Sequence, residues 1–317
     1  AHASFMKKKI DTSFLIILIV LIVAGFFIFN SASLGLLAGS NSKYANVAFS
    51  QVFFGLFLGT IALITTSRMP SQFWKKYSLA FFVGALLLNL LVFVPHIGFS
   101  HGGAHRWIMI AGYTFQPSEL LKIAFIMFYA TWLSQTKKDI GSFSQGLMPF
   151  LCILGLVAGI LISQPDNDTF LVIAVAGFAM FLAGGGKWRH VFLVGTLLVA
   201  GLITAAFFRP YVMQRLTTFI NPAANSQTSG YQIQQSLIAI GSGGFTGRGF
   251  GQSVQKFNFL PEPIGDSIFA VASEEFGFMG ATAIIVLFVI FTIKGLKIAI
   301  RTQDTFGRLF VVGTVIL

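Results

Sequence analysis

The sequence predicts an all-α polytopic membrane protein, and three observations carry that expectation. Of its 317 residues 55% are hydrophobic and only 10% are charged, where a soluble chain carries about 25%. The mean hydropathy is +0.82. Apolar runs of about 17–20 residues, the length a helix needs to cross a bilayer, recur at short intervals.

The first run, 12–30, follows Met6-Lys7-Lys8-Lys9. It begins as a signal peptide does but lacks a small-residue cleavage site, so a retained first helix is expected. Ala1 to Phe5 read as residues added ahead of a native start. Further runs fall at 47–66, 78–95, 117–133, 147–163, 169–183, 191–208 and 267–293. A ninth begins near 309 and breaks off at Leu317, so about nine spans are expected, the ninth truncated. The run at 169–183 is short for a span, and its helix could reach back through Asp168. The whole, 1–317, reads as a single transmembrane domain.

Charge placement orients the bundle. With the N-terminus in the cytoplasm, fourteen of the 21 basic residues fall on inner segments and six on outer ones, the asymmetry that fixes membrane topology. These short basic clusters at the ends of apolar runs account for the net charge of +11 through lipid headgroups and topology, and they exclude a nucleic-acid surface. The lone Cys152 excludes an internal disulfide. Two outer loops are long or polar enough to hold function, 96–116 and especially 209–266. The second contains YQIQQSLIAI (Tyr231 to Ile240), apolar on one face at helical spacing and read as an interfacial helix.

Four polar clusters are candidate sites. In PEPIGDSIFAVASEE, Pro261 and Pro263 stiffen the approach, Gly265 frees the backbone, and Asp266 stands at a helix start. It is either a cap for free N–H groups or a catalytic base. Glu262, Glu274 and Glu275 are its supporting carboxylates. Because Glu274 and Glu275 are adjacent on a helix, one is expected to face the bundle interior and the other to need a partner or a polar cleft. In QPDNDT, Gln164 to Thr169, Asp166 either belongs to a tight turn or lines a cavity below the headgroups.

In HRWIMIAGYTFQPSELLKIAF, Pro117 and Ser118 start a helix whose first turn carries Glu119. Glu119 and Lys122 share a face, as an internal bridge or as substrate contacts. Arg106 beside Trp107 reads as an interfacial anchor that could also meet a phosphate. In GSGGFTGRGFG the phosphate-loop spacing GxxxxGK[ST] is missing, which leaves an anion nest with Arg248 and Lys256 nearby, or a flexible connector. The histidines His2, His96, His101, His105 and His190 show no metal-ligand spacing, and no metal site is expected.

The texts GAHRW, QPSELLKIAF, QPDNDT and YQIQQSLIAIGSGGFTGRGFGQSVQKFNFLPEPIGDSIFAVASEEFGFMG, colinear along the chain, resemble the SEDS family of FtsW and RodA type peptidoglycan polymerases. The resemblance leans towards the FtsW branch. It implies a helical bundle of normally ten spans and an activity: glycosyl transfer from lipid II at the outer face of the bacterial plasma membrane. The nascent glycan chain is extended with inversion, and undecaprenyl pyrophosphate is released.

By that resemblance Asp266 matches the essential aspartate of a PExxxD segment. Glu119 and Lys122 match an important charged pair, and Asp166 matches the aspartate of the turn between the fifth and sixth spans. Arg106, Arg215 and Lys256 match recurring basic positions, and with Lys122 and Arg248 they form the pool for pyrophosphate binding. The chain departs from the family at Gly265, where many relatives have threonine, and at Asp168, where glycine is usual. A divalent cation could assist through the pyrophosphate and carboxylates, but the sequence shows no diagnostic cofactor site. The implied partners are a class B penicillin-binding protein transpeptidase and other division or elongation membrane proteins. Two other classes stay open on the residues alone: a flippase or other transporter of a lipid-linked precursor, and a non-enzymatic scaffold of the division machinery.

Overall fold

The computed structural model describes residues 11–38, 47–95, 97–101, 104–110, 113–136, 140–208, 213, 217–221 and 230–317. Its helices are α1 (Thr12–Ser33), α2 (Val47–Arg68), α3 (Ser71–Leu90), α4 (Pro117–Gln135), α5 (Met148–Ser163), α6 (Asn167–Ala183), α7 (Trp188–Phe208), α8 (Tyr231–Ser242), α9 (Ile268–Arg301) and α10 (Thr305–Ile316). Long apolar sequences become helices because hydrocarbon offers the backbone no partners, and a helix satisfies its own N–H and C=O groups. Among the described residues, five stretches are long and apolar enough to cross a membrane: Thr12–Leu37, Val47–Arg68, Ser71–Phe93, Phe143–Ser163 and Ile268–Arg301. Asn167–Ala183, Trp188–Ala200 and Thr305–Ile316 are shorter apolar helices. The short sixth run does start its helix early, at Asn167.

The helical expectation gains one addition. Within the loop 96–116, strands β1 (Gly98–His101), β2 (Ala104–Ile110) and β3 (Tyr113–Phe115) form an antiparallel sheet in the order β1-β2-β3. Ile108 faces Gly98 on one side and Phe115 on the other. The alternation along Trp107-Ile108-Met109 puts Ile108 inside and Met109 outside, the period of two that favours a strand.

The chain divides into two compact units. One comprises residues 1–67 and 199–291, the other 68–198 and 292–317. The second unit has an aromatic core. Phe82 stacks on Phe128 at 4.8 Å, Tyr129 on Phe150 at 5.0 Å, and Phe150 on Phe181 at 5.9 Å. Gly177 admits the Phe150 ring, since a Cβ there would lie 2.8 Å from it, and Gly313 likewise seats Ile126 and Met180. In the first unit the small cluster Ala32, Ala239, Leu260, Ala270 and Val271, flanked by Ile264 and Ile268, joins α1, α8 and α9. Most large apolar side chains of α1 and α2 are exposed, as expected where lipid is the solvent.

One element departs from a continuous helix. Inside α9, Gly277 has φ 65° and ψ −166°, a conformation open essentially to glycine alone, and it separates the short helical stretch 268–276 from the long remainder. The sequence EEFG carries this break without any proline to announce it.

Candidate active site

Asp266 lies on a turn between Pro261 and the start of α9. The turn is braced from inside. Gly265 N–H and Ser267 N–H donate to the Glu262 carbonyl at 3.1 and 3.2 Å, and Ser267 Oγ donates to the Pro261 carbonyl at 2.9 Å. Glu262 itself is exposed, with φ 47°. Asp266 is exposed, and among the described residues none donates to its carboxylate. It does not serve as a cap. The α9 entry is closed by the backbone, with Ala270 and Val271 N–H donating to the Ser267 carbonyl. This is a carboxylate on a fixed frame, open to a proton donor from outside.

Eight and nine residues on, Glu274 and Glu275 are both buried, 0% and 1% exposed, where the sequence predicts one facing inward, and each has a partner of the kind expected for the other. The break at Gly277 explains this, because the half-helix ends there and both carboxylates are enclosed by residues 251–256. Glu274 accepts from Ser253 Oγ at 2.6 Å, Val254 N–H at 3.1 Å and Gln255 N–H at 3.3 Å, and pairs with Arg248 Nε at 3.3 Å. Glu275 pairs with Lys256 Nζ at 2.7 Å and accepts from Ser31 Oγ, at the end of α1, at 2.6 Å. Lys256, 1% exposed, also donates to the Gly251 carbonyl at 2.9 Å. Its charge is thus neutralised inside the protein, whereas the Arg248 side chain is 42% exposed.

The glycine-rich segment is neither an open nest nor a loose connector. It fills the break in α9. Arg248 and Gly249 N–H donate to the Glu274 and Glu275 carbonyls at 3.0 and 2.9 Å, while Phe278 and Met279 N–H donate to the Gly244 and Phe245 carbonyls at 2.9 and 3.2 Å. Each of these groups, left unpaired in hydrocarbon, costs several kcal/mol. Glycine is required for the approach. A Cβ on Gly277 would strike the backbone of Gly247, one on Gly247 the backbone of Glu275, and one on Gly243 the Ser273 carbonyl. An apolar cleft of about 540 Å³ is lined by Phe27, Phe250, Phe276 and Gly280 among others, with no ionisable side chain among its described lining residues.

The second unit gathers the other candidates. Asp166, 2% exposed, accepts from Ser118 Oγ at 2.9 Å and Gln116 Nε2 at 3.2 Å. Ser118 thus ties the α4 start to the turn before α6. Arg106 Nη2, on β2, donates to the Pro165 carbonyl beside Asp166, and its Nε has no partner among the described residues. Gln164 Nε2 donates to the Asn89 carbonyl at 2.8 Å, fixing the same turn to α3. Glu119 and Lys122 form an ion pair at 2.9 Å whose side chains are 56% and 21% exposed. Arg215 lies outside the described residues. Reading the sequence missed Ser31, Ser253, Gln116 and Gly277. Of these only Gly277 carried a signal, as a glycine just past two acidic residues in an apolar run.

A multi-helix fold with several long apolar helices, one of them broken and with buried charges clasped behind the break, is that of a polytopic membrane protein. The profile of the FTSW_RODA_SPOVE family of cell cycle proteins matches residues 11–317, and the chain belongs to that family. It is 36% identical over 260 residues to a probable peptidoglycan glycosyltransferase FtsW of Geobacter sp. (strain M18), covering 82% of this chain and 71% of that one. It is 34% identical over 316 residues to the stage V sporulation protein E of Bacillus subtilis (strain 168), covering 98% and 84%. Its fold is shared with a chain of a solved peptidoglycan synthase complex (TM-score 0.74, 22% identity, 96% and 82% covered). It is shared also with the rod shape determining protein RodA of Thermus thermophilus (TM-score 0.66, 22% identity, 96% and 80% covered).

Proposed function

We infer that this chain is a peptidoglycan glycosyltransferase that extends a glycan strand with sugar units from lipid II at the outer face of the bacterial plasma membrane. Family membership and the resemblance to FtsW support this reading. Lipid II carries its own leaving group, so the enzyme needs a base for the acceptor 4-hydroxyl and positive charge for the departing undecaprenyl pyrophosphate. We assign the base to Asp266: it takes the proton as the hydroxyl oxygen attacks the anomeric carbon, the bond to the pyrophosphate breaks, and the configuration inverts. Arg106, Lys122, Arg215 and Arg248 are the cationic groups assigned to the pyrophosphate, with Glu119 and Asp166 holding the substrate. Lys256 would serve there only by leaving Glu275.

The reading includes nine spans in this chain, an N-terminus in the cytoplasm, the segment 209–266 outside, and a class B penicillin-binding protein as partner. The observation that carries the assignment is the exposed Asp266 carboxylate, without a donor among the described residues, on a braced turn. A broken span with buried charges is also what a transporter of lipid-linked precursors uses at its binding site. Here four main-chain groups at the break, the Glu274 and Glu275 carbonyls and the Phe278 and Met279 N–H groups, are bonded to the glycine strip and so are not offered to a cargo.

The test is polymerisation of labelled lipid II by the purified protein, with and without its transpeptidase. Asp266→Asn is expected to reduce glycan chains to background while the melting temperature and lipid II retention stay unchanged. Full activity in that variant would remove Asp266 from the chemistry. Lipid II transfer across sealed vesicles without polymer would turn the assignment to a transporter.

A further inference from the structure

Residues 253–275 form a closed loop with Asp266 near its tip, ten residues after Lys256 and eight before Glu274. Its two ends are clasped. Ser253, Val254, Gln255 and Lys256 on one side meet Glu274 and Glu275 on the other, and Ser31 of α1 completes the knot. Between clasp and tip the chain has little slack. Leu260 N–H donates to the Gln255 carbonyl at 2.8 Å, Tyr231 Oη to the Phe259 carbonyl at 3.0 Å, and Pro261 and Pro263 restrict the backbone on the way to the turn. Leu260 is itself packed against Ala32, Ala239 and Val271. A shift at the clasp therefore reaches Asp266 instead of being absorbed.

We propose that the clasp formed by Glu274, Glu275, Ser253 and Lys256 is the positioning device of the base, setting the distance and angle at which Asp266 meets the acceptor hydroxyl. The proposal rests on the assignment of Asp266 as base. Stability alone does not account for the arrangement, because a buried ion pair is often replaceable by well-packed apolar groups at no loss. Directional bonds to both oxygens of Glu274, and a cation plus a hydroxyl on Glu275, fix orientation as apolar packing does not. Glu274 and Glu275 do not touch the substrate and act through the loop.

The test uses the full chain carrying Cys152→Ser, since Cys152 is exposed on α5 and would otherwise be labelled. A nitroxide is attached at Phe259→Cys, an exposed position on the loop. Into this background go Lys256→Met with Glu275→Gln, which removes both buried charges together, and separately the milder Ser253→Ala. Melting temperature, the kcat and KM of lipid II polymerisation, and the mobility of the label are measured.

Positioning predicts that the double variant melts within a few degrees of the parent and keeps its KM, while kcat falls about 100-fold, the scale of a 1 Å misplacement. The label becomes more mobile. Ser253→Ala moves the same quantities in the same direction by less, and it decides the matter if the double variant does not fold. An unchanged kcat overturns the proposal. So does a loss of activity that follows the melting temperature while the label spectrum stays fixed. If Asp266→Asn polymerises normally, the base assignment falls, and the label spectrum alone then decides whether the clasp sets the loop.

Discussion

Glu274 and Glu275 are buried against two cations, Arg248 and Lys256, whereas Asp166 is buried against a hydroxyl and an amide, Ser118 and Gln116. The first group is a closed account of charge, two carboxylates with two bases, and its hydrogen-bonding capacity is filled by backbone and serine donors. The second leaves a carboxylate among neutral donors in the described residues, with the Arg106 guanidinium directed to the neighbouring Pro165 carbonyl. Burial by itself thus does not mark a functional acid in this fold. What its neighbours supply does. The paired acids have their charges met inside the protein, whereas Asp166 is held by neutral donors among the described residues, which is why it stands among the proposed substrate contacts.

The contrast is broken or sharpened by substitution, the largest effect first. Glu275→Gln alone leaves the Lys256 ammonium buried without its counter-charge, and a loss of about 3–5 kcal/mol in thermal or denaturant unfolding is expected. Removing Lys256 as well should recover most of that loss. If the single and double variants melt alike, the pair is not coupled. Gly277→Ala forces a Cβ into the strip and into a strained conformation, with an expected loss of about 2–4 kcal/mol in the same measurement. A neutral result would mean the break does not need its glycine.

Ser118→Ala strips one donor from the Asp166 carboxylate and should cost about 1.5–3 kcal/mol, read from denaturant midpoints. A smaller change would mean that water replaces the hydroxyl. Glu119→Gln opens an exposed pair and should change stability by no more than about 1 kcal/mol. For that reason Lys122→Met is informative in the polymerisation assay, where a raised KM at unchanged melting temperature marks a ligand contact and an unchanged KM marks a surface bridge.

Much of this was legible in the sequence, and the limits have physical causes. Helix positions follow from apolar runs alone, because a bilayer leaves the backbone one solution, and α8 showed itself by one-sided periodicity at Tyr231 to Ile240. Asp266 was readable through its Pro and Gly neighbours. The sheet in 98–115 was not, since a seven-residue alternation inside a polar loop carries little weight beside the spans. The partners of Glu275 were hidden for a different reason. Ser31 lies 244 residues away, and a serine closing an apolar run looks the same whether it faces lipid or a carboxylate. The role of the glycine segment escaped because its acceptors and donors belong to a helix that local sequence reads as unbroken.

That strip has a consequence for how the molecule is made. Residues 243–249 leave the ribosome before the helix they mend, so the gap at Gly277 cannot close until both lengths of chain are present. Until then four main-chain groups in the nascent span stand without partners. Maturation of this unit is therefore expected to end with a docking event, in which the earlier-made ribbon and the break in the later-made span come together.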